Sequence, residues 1–438
     1  MMLSFRATNA RSFLKPLELS LLATSMAESD VVREVPWREG GSSLRVLPVA
    51  GVFGANSSGK SNALRVMQDF RALILRSFRH SDPEGGIDGR HPFRLDRAAQ
   101  SLPTRYEIDL ILHGVRHEYG CVIDDERVHQ EYCYHYPKGR AALIFERKGD
   151  SIELGSQERA KGRAVVELLR PNALFLSTAA SAGHAQLLPL YQWFGRNLRL
   201  AESESRPFRQ ALTTMMLDNE ESRQQVLALL HAADLGITSA GKVPLDPVMH
   251  DRFRRASRIL SGTEEEPEAE DFPAFEQLGV QFYHQSTDGD VAFDSVDESL
   301  GTRVWFGLIG PVVEALRDGS VFLADELDAS LHPALVSQLI RLFQNPASNP
   351  RRAQLIFNSH DATLLGDAVS DRQLGRDQIW FVEKHADGGS QLYPLVDLEP
   401  RKQEAIGKRY LAGRYGAIPI LSSDEFAAAA ELITASPR

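Results

Sequence analysis

Gly54-Ala55-Asn56-Ser57-Ser58-Gly59-Lys60-Ser61 follows the apolar run 45–53 and opens the stretch 60–78, where Leu64, Met67, Phe70, Leu73 and Leu75 recur at helical spacing. The pattern GxxxxGK followed by Ser or Thr, between a strand and a helix, is the layout of a phosphate loop. Its glycines let the backbone curl around a phosphate with N–H groups pointing inward, and the helix start adds a positive end. Lys60 is then placed to bridge β- and γ-phosphate oxygens while Ser61 reaches a Mg²⁺ ion. Gly54, Ala55, Asn56, Ser57, Ser58, Gly59, Lys60, Ser61 and the adjoining Asn62 are thus the expected cofactor-binding residues, for ATP and Mg²⁺.

A second apolar run, Val321-Phe322-Leu323-Ala324, ends in Asp325-Glu326. Successive side chains on a strand point to opposite faces, so the two acids take separate roles. Asp325 suits the Mg²⁺ shell beside Ser61, and Glu326 can polarise an attacking water. A base next to the metal is what phosphoanhydride hydrolysis requires, because positioning and charge neutralisation carry most of that catalysis.

The longer run Asp325-Glu326-Leu327-Asp328-Ala329-Ser330-Leu331-His332-Pro333 resembles the Walker B and D-loop of SMC-type and ATP-binding-cassette ATPases. Its Leu-His-Pro ending is similar to that of the overcoming-lysogenization-defect (OLD) nucleases and related AAA-type ATPases of bacterial phage defence. Ser299-Leu300-Gly301-Thr302 resembles the cassette signature, in which a Ser and a Gly at a helix start grip the γ-phosphate bound by the opposite subunit. Asn358-Ser359-His360-Asp361, after the run 353–357, resembles the switch-histidine loop. The motifs stand in the family's order, and with the opening residues they cover about half of the chain; 160–275 resembles nothing nameable. The fullest likeness is to RloA-type, abortive-infection-like ATPases, a group that includes the ATPase subunit of the PARIS anti-phage system. The resemblance implies Glu326, His360 and Lys60 as catalytic residues and adds Ser299 and Gly301 to the ATP site. It further implies a homodimer, or a higher homo-oligomer, closed through an ATP sandwich.

Several positions carry two readings. Ser and Thr favour helix starts, so Ser299 also reads as a plain helix cap, and a lone His near a strand end, such as His360, also reads as structural. His332 stands where transporters and SMC proteins have Asp. No glutamine is assigned to a Q-loop: Gln100 stands near the loop 82–96, and Gln68 lies on the phosphate-loop helix. Arg11 resembles an arginine that reaches nucleotide phosphates in SMC-like heads and equally fits an exposed turn. Val382-Glu383-Lys384 mimics the first element of the OLD Toprim nuclease, yet no Asp-x-Asp follows, so no nuclease is expected in this chain. His113, His117, Cys121, Cys133 and His135 lack the close paired spacing of zinc sites and read as strand residues. The basic stretch 401–416, with Tyr410 and Tyr415, reads either as a solvated helix face or as a contact for DNA, RNA or a partner protein.

The elements that must position these residues follow from patterning. Short apolar-rich runs at 2–6 and 17–22 suggest an opening hairpin, and Gly, Pro and Asp crowd a loop at 82–96. From 104 to 155, runs rich in β-branched and aromatic residues alternate with turns and predict an antiparallel meander. Residues 158–169 and 187–233 read as mostly helical, with Leu212, Met215, Met216, Val226, Leu229 and Leu230 at spacings of three and four. An acidic stretch, 262–272, reads as a solvated loop. Strand 277–283, helix 302–317, strand 320–325, helix 333–344, strand 353–358, helix 361–369 and strand 378–384 then alternate, as for helices packed on a parallel sheet.

Composition bounds the whole. Of 438 residues, 43% are hydrophobic and 25% charged, the balance of a soluble globular protein with two or three units. A net charge of -10 excludes a surface built throughout for nucleic acid. Two cysteines point to a reducing compartment, the cytoplasm, and no run approaches the ~20 apolar residues that span a bilayer. The expected fold class is α/β: an ABC/SMC-type ATPase head with a mixed central sheet, an antiparallel β lobe and an inserted helical region. Residues 1–158 form the first part of the head, 159–275 the insertion, 276–400 the second part and 401–438 a basic tail or helix. The expected function is a sensor or regulatory ATPase of an anti-phage (abortive infection) system controlling a separate effector protein. The alternative is a RecF/SMC-like DNA-repair or chromosome-maintenance ATPase that binds DNA directly.

Overall fold

The computed structural model describes residues 1–38, 40–79, 82, 85–156, 159–244, 278–366, 372–419 and 422–435. From the amino end, β1 (Met2–Thr8) and β2 (Leu17–Ser20) form the opening hairpin. β3 (Arg33–Val35) and β4 (Leu44–Val46) pair as a small ribbon, and β5 (Val49–Phe53) runs into the glycine-rich loop. The single strand expected over 45–53 is divided at Pro48, which has no N–H to give a ladder. β6 (Thr104–Leu112), β7 (Val115–Ile123), β8 (Val128–His135), β9 (Ala142–Lys148) and β10 (Ser151–Leu154) make the antiparallel meander. β1 pairs with β6, so among the described residues the lobe has the order β10-β9-β8-β7-β6-β1-β2.

β11 (Leu198–Ala201) comes next, followed by β12 (Ile237–Pro244), β13 (Leu278–Ser286) and β14 (Gly289–Asp294), which form a three-stranded antiparallel sheet. β15 (Val321–Ala324), β16 (Gln354–Ser359), β17 (Ile379–Lys384) and β18 (Ser390–Pro394) join β5 and β11 in the order β11-β15-β16-β5-β17-β18. The first five strands of that order run parallel and β18 is antiparallel to β17. The fold is α/β with a mixed central sheet and an antiparallel β lobe.

Alternate residues of the central strands enter two different cores. Ala50, Val52, Val321, Leu323 and Ile356 pack with the helix Lys60–Arg76 and the β lobe. Val49, Phe53, Phe322, Leu355 and Phe357 pack with the helices Leu300–Asp318 and Pro333–Gln344. Coverage on both faces explains why these strands read as unbroken apolar runs rather than alternating ones.

Several expectations need correcting. The stretch 187–233 holds the helices Leu188–Asn197, Arg206–Met215 and Glu220–Ala232, but Leu198–Ala201 between them is a strand paired with β15. Where a helix was expected over 361–369, a single 3-10 turn, Ala362–Leu365, ends at Gly366 with φ 70°, and 367–369 lie outside the described residues. The acidic stretch 262–272 also lies outside them. Cys121 and Cys133 are free thiols buried in the β lobe. No described helix is long and apolar enough to cross a membrane.

Candidate functional site

Parallel register brings three strand ends to one edge of the central sheet. Ala324 lies beside Phe357, and Ser359 beside Phe53. The residues that follow these strands, Gly54 onward, Asp325-Glu326 and His360, therefore emerge side by side, where crevices of open parallel sheets take ligands. A cavity of about 780 Å³ there is lined by Asn56, Ser57, Gly59, Lys60, Ser61, Asn62, Glu326, Asp328, Ala329 and His360.

The loop is shaped for an anion. Ser57 at φ 60° and Gly59 at φ 112° take the left-handed backbone conformation that anion-binding nests use. A Cβ on Gly59 would sit 2.4 Å from Ser390 Oγ and 2.8 Å from Ser12 Oγ. Ser390 Oγ donates to Ser58 O at 2.6 Å, and Ser390 N–H donates to Ser12 O at 2.7 Å. The opening hairpin and β18 thus brace the loop, a role that sequence reading missed because neither serine belongs to a motif. Lys60 Nζ donates to Gly54 O at 2.8 Å and Ala55 O at 2.9 Å. Burial lowers its pKa to about 8 against the opposing pull of Asp328, Glu326 and Asp325. An ammonium curled onto its own loop in this way can exchange carbonyls for phosphate oxygens. Gly54, Ala55 and Ser58 instead face a neighbouring cavity of about 640 Å³, which Asn56 and His360 also line.

One buried side chain orders both acids. Asn358, on β16, donates from Nδ2 to Asp325 Oδ1 at 2.5 Å, and its Oδ1 accepts the N–H of Glu326. Its backbone oxygen accepts from Leu327 N–H at 3.1 Å. Glu326 takes φ 53°, a left-handed conformation that costs a non-glycine residue about 1–3 kcal/mol unless its surroundings hold it. Arg65 Nη2, on the phosphate-loop helix, lies 3.7 Å from Asp325 Oδ2, and Arg65 Nε bonds Glu202 Oε1 at 2.5 Å. Asp325 N–H donates to Ala201 O at 2.9 Å, so the unexpected strand β11 also fixes the acid. Ser61 lines the phosphate-loop cavity and Asp325 does not; both are oxygen donors of the kind Mg²⁺ takes. The exposed His360 donates its backbone N–H to Asp328 Oδ2 at 3.2 Å. Asn358 belonged to a motif, but its clamp was not foreseen; a fully buried amide in the run QLIFN was the available signal.

Asn358→Ala is expected to lower stability by about 1–3 kcal/mol, since it strands buried partners of the lost amide. It should also slow turnover, because Asp325 and Glu326 lose their common support. Thermal melting together with a hydrolysis assay checks this; a variant unchanged in both would show that the clamp is idle.

Ser299 and Gly301 are not brought to Lys60. They line a separate cavity of about 460 Å³ with Ser330, Leu331 and His332. Ser299 caps the helix Leu300–Asp318, its Oγ accepting from Thr302 N–H at 3.1 Å. A Cβ on Gly301 would lie 2.8 Å from Ser330 O, so the helix start rests directly on the loop after Glu326. His332 caps the helix Pro333–Gln344, with Nδ1 accepting from Ala334 N–H at 3.2 Å.

Arg11 forms a two-pronged pair with Asp69 on the phosphate-loop helix, at 2.5 and 2.7 Å, and does not line the phosphate-loop cavity. Gln68 and Gln100 do not line it either. In the basic stretch Tyr410 and Tyr415 are buried, stacked on Phe381 with ring centroids 5.3 and 5.7 Å apart. Tyr415 Oη donates to Glu404 Oε1 at 2.6 Å, and Arg409 pairs with Glu404 at 3.0 Å. The two aromatic rings that could have stacked on bases are core residues.

Among solved structures the chain is similar to the SMC head domain from Thermotoga maritima, at 12% identity and TM-score 0.39, covering 90% of this chain and 98% of that one. A second likeness, at 12% identity and TM-score 0.38, is to the SmcHead bound to the C-winged helix domain of ScpA, covering 90% and 96%. A third, at 12% identity and TM-score 0.35, is to an Smc head domain with an extended coiled coil bound to the C-terminal domain of ScpA derived from Pyrococcus furiosus, covering 91% and 97%. Likeness at this level says nothing of what the chain binds. No curated protein matches it. The family described as "AAA domain, putative AbiEii toxin, Type IV TA system" matches residues 49–366, from β5 and the phosphate loop through both acids to the turn after His360. With well over half of its length in that match, the chain belongs to this AAA-domain ATPase family.

Proposed function

We propose that this chain hydrolyses ATP as a sandwiched homodimer and serves as the sensor or regulatory ATPase of a bacterial anti-phage, abortive-infection system, controlling a separate effector protein. The observation that carries the ATPase reading is the meeting of the phosphate loop, Glu326 and His360 in one cavity at adjacent parallel strand ends. Lys60 exchanges the carbonyls of Gly54 and Ala55 for phosphate oxygens. Glu326 orients a water and takes its proton, and Asn358 holds the acid in place. Bound Mg²⁺, held by Ser61 and Asp325, would neutralise charge on the phosphate oxygens. The sandwich is favoured by Ser299 opening onto a cavity that Lys60 does not reach. The defence role draws on the resemblance to abortive-infection ATPases and on the family's own description.

Purified protein should release phosphate from ATP with Mg²⁺ and stop when a chelator removes the metal. Pull-down in ATP, followed by mass spectrometry, should then recover one effector protein. Hydrolysis without any recovered partner would overturn the regulatory role and leave the ATPase. The direct DNA-binding alternative is weakened by the burial of Tyr410 and Tyr415 and by the net charge of -10. Steeply salt-dependent, ATP-dependent DNA binding would reverse that preference.

A further inference from the structure

A fourth, more enclosed cavity of about 190 Å³ lies against the acids. Glu326 and Ala329 line both it and the phosphate-loop cavity, so they form the partition between the two. Its other wall includes Ser203, Arg206 and Arg209, from a region that resembles nothing nameable. Arg209 is 8% exposed. Its Nη1 donates to Glu202 O and, at 2.7 Å, to Ser205 Oγ, while the buried Nε has no partner. The Glu202 carboxylate is already bonded to Arg65. Among the described residues, no carboxylate forms an ion pair with Arg206 or Arg209.

Two guanidinium groups, one of them buried, therefore share a small cavity in which neither is paired with Asp325 or Glu326, the carboxylates that also line it. A buried charge is strongly unfavourable unless paired, and a guanidinium fork matches a tetrahedral oxyanion with two parallel hydrogen bonds. Burial and the neighbouring Arg206 pull the Arg209 pKa down to about 10, with Glu202 opposing, as expected for cations wanting an anion. At about 30 Å³ per water, the space takes one phosphate with some water.

Asp325 also lines this cavity, whereas Glu326 lines both. Asp325 is held by Asn358 and faces Arg65. In the proposed hydrolysis the water oxygen bonds to the γ-phosphorus, the bond to the β,γ-bridging oxygen breaks with its electron pair going to ADP, and the water's proton passes to Glu326.

We propose that the Arg206–Arg209 cavity binds inorganic phosphate and receives the cleaved γ-phosphate past Glu326 while ADP still occupies the phosphate loop; this rests on the ATPase reading above. The helix that carries both arginines packs on the helix capped by Ser299, through Gly310 N–H to Thr213 Oγ1 at 3.0 Å and Gln210 Nε2 to Arg303 O at 2.9 Å. Occupancy of the cavity therefore bears on the surface assigned to the partner subunit.

The protein is saturated with Mg-ADP, which blocks the phosphate loop, and titrated with inorganic phosphate by calorimetry. Wild type is expected to bind one phosphate, and Arg206→Ala to bind it at least about tenfold more weakly. No phosphate binding by the ADP-saturated wild type, or equal affinity in Arg206→Ala, overturns the site. Arg209→Gln should behave alike; if it fails to fold, Arg206→Ala, only half-buried, still decides. In a single turnover, quenched samples read cleavage and a fluorescent phosphate sensor reads release. A longer lag between the two in Arg206→Ala supports the exit role, and an equal lag overturns it. Failure to cleave ATP at all would instead overturn the ATPase reading, a result visible in the quenched samples alone.

Discussion

Glu326→Gln is expected to bind ATP, lose hydrolysis by at least about a hundredfold, and accumulate as an ATP-held dimer. The amide keeps the size and the acceptor oxygen of the carboxylate but cannot take a proton from water. The backbone N–H at 326 still donates to Asn358, so the left-handed turn at φ 53° persists. Because Glu326 is exposed, the melting temperature should hold, with a stability change within about 0.5 kcal/mol. Loss of activity with an unchanged melting curve separates a chemical role from a structural one. Light scattering in ATP and then in ADP reads the assembly. Wild-type turnover in this variant would move the base elsewhere, to Asp328 or His360, which line the same cavity.

Much of that cavity was legible because its residues follow buried strands. β5, β15 and β16 are covered on both faces, so each shows as an apolar run that stops abruptly at the chemical residues. Parallel pairing then brings these stops together without any further sequence signal. What could not be read depends on contacts distant in the chain. Leu198–Ala201 has only four residues and sits between two helices, so no period of two has room to show. Its strand state comes from pairing with β15 more than a hundred residues later, a case of tertiary context overriding local pattern. Arg11 looked free to meet phosphate because its partner, Asp69, reads in sequence as one more polar residue on a helix. Tyr410 and Tyr415 looked like an aromatic-basic surface because Phe381, which they stack on, lies on another strand. Arg206 and Arg209 escaped for the same reason: only the packing of their helix on Leu300–Asp318 brings them near Glu326.

Lys60→Ala and Ser299→Arg, each inactive alone, are expected to regain activity when combined in one dimer. The expectation rests on Lys60 and Ser299 lining different cavities of one chain, separated by the loop that follows Glu326. If a second copy brings its Ser299 to the first copy's phosphate loop, each ATP needs a lysine from one chain and a serine from the other. A mixed dimer then has one site with both elements lost and one with both intact. Random assembly makes about half of the dimers mixed, so a simple mixture should reach at most about a quarter of wild-type activity. The purified doubly tagged dimer should reach at most about half, and less if the two sites fire together. Ser299 also caps its helix through Thr302 N–H, so the arginine variant should lose about 1 kcal/mol of stability, which a melting curve will show separately. Co-expression with two tags, followed by a hydrolysis assay on the doubly tagged species, gives the answer. No recovery in a confirmed mixed dimer would mean that Ser299 is only a cap or that both sites must be intact, and isolated Ser299→Arg retaining full turnover would rule out the sandwich altogether.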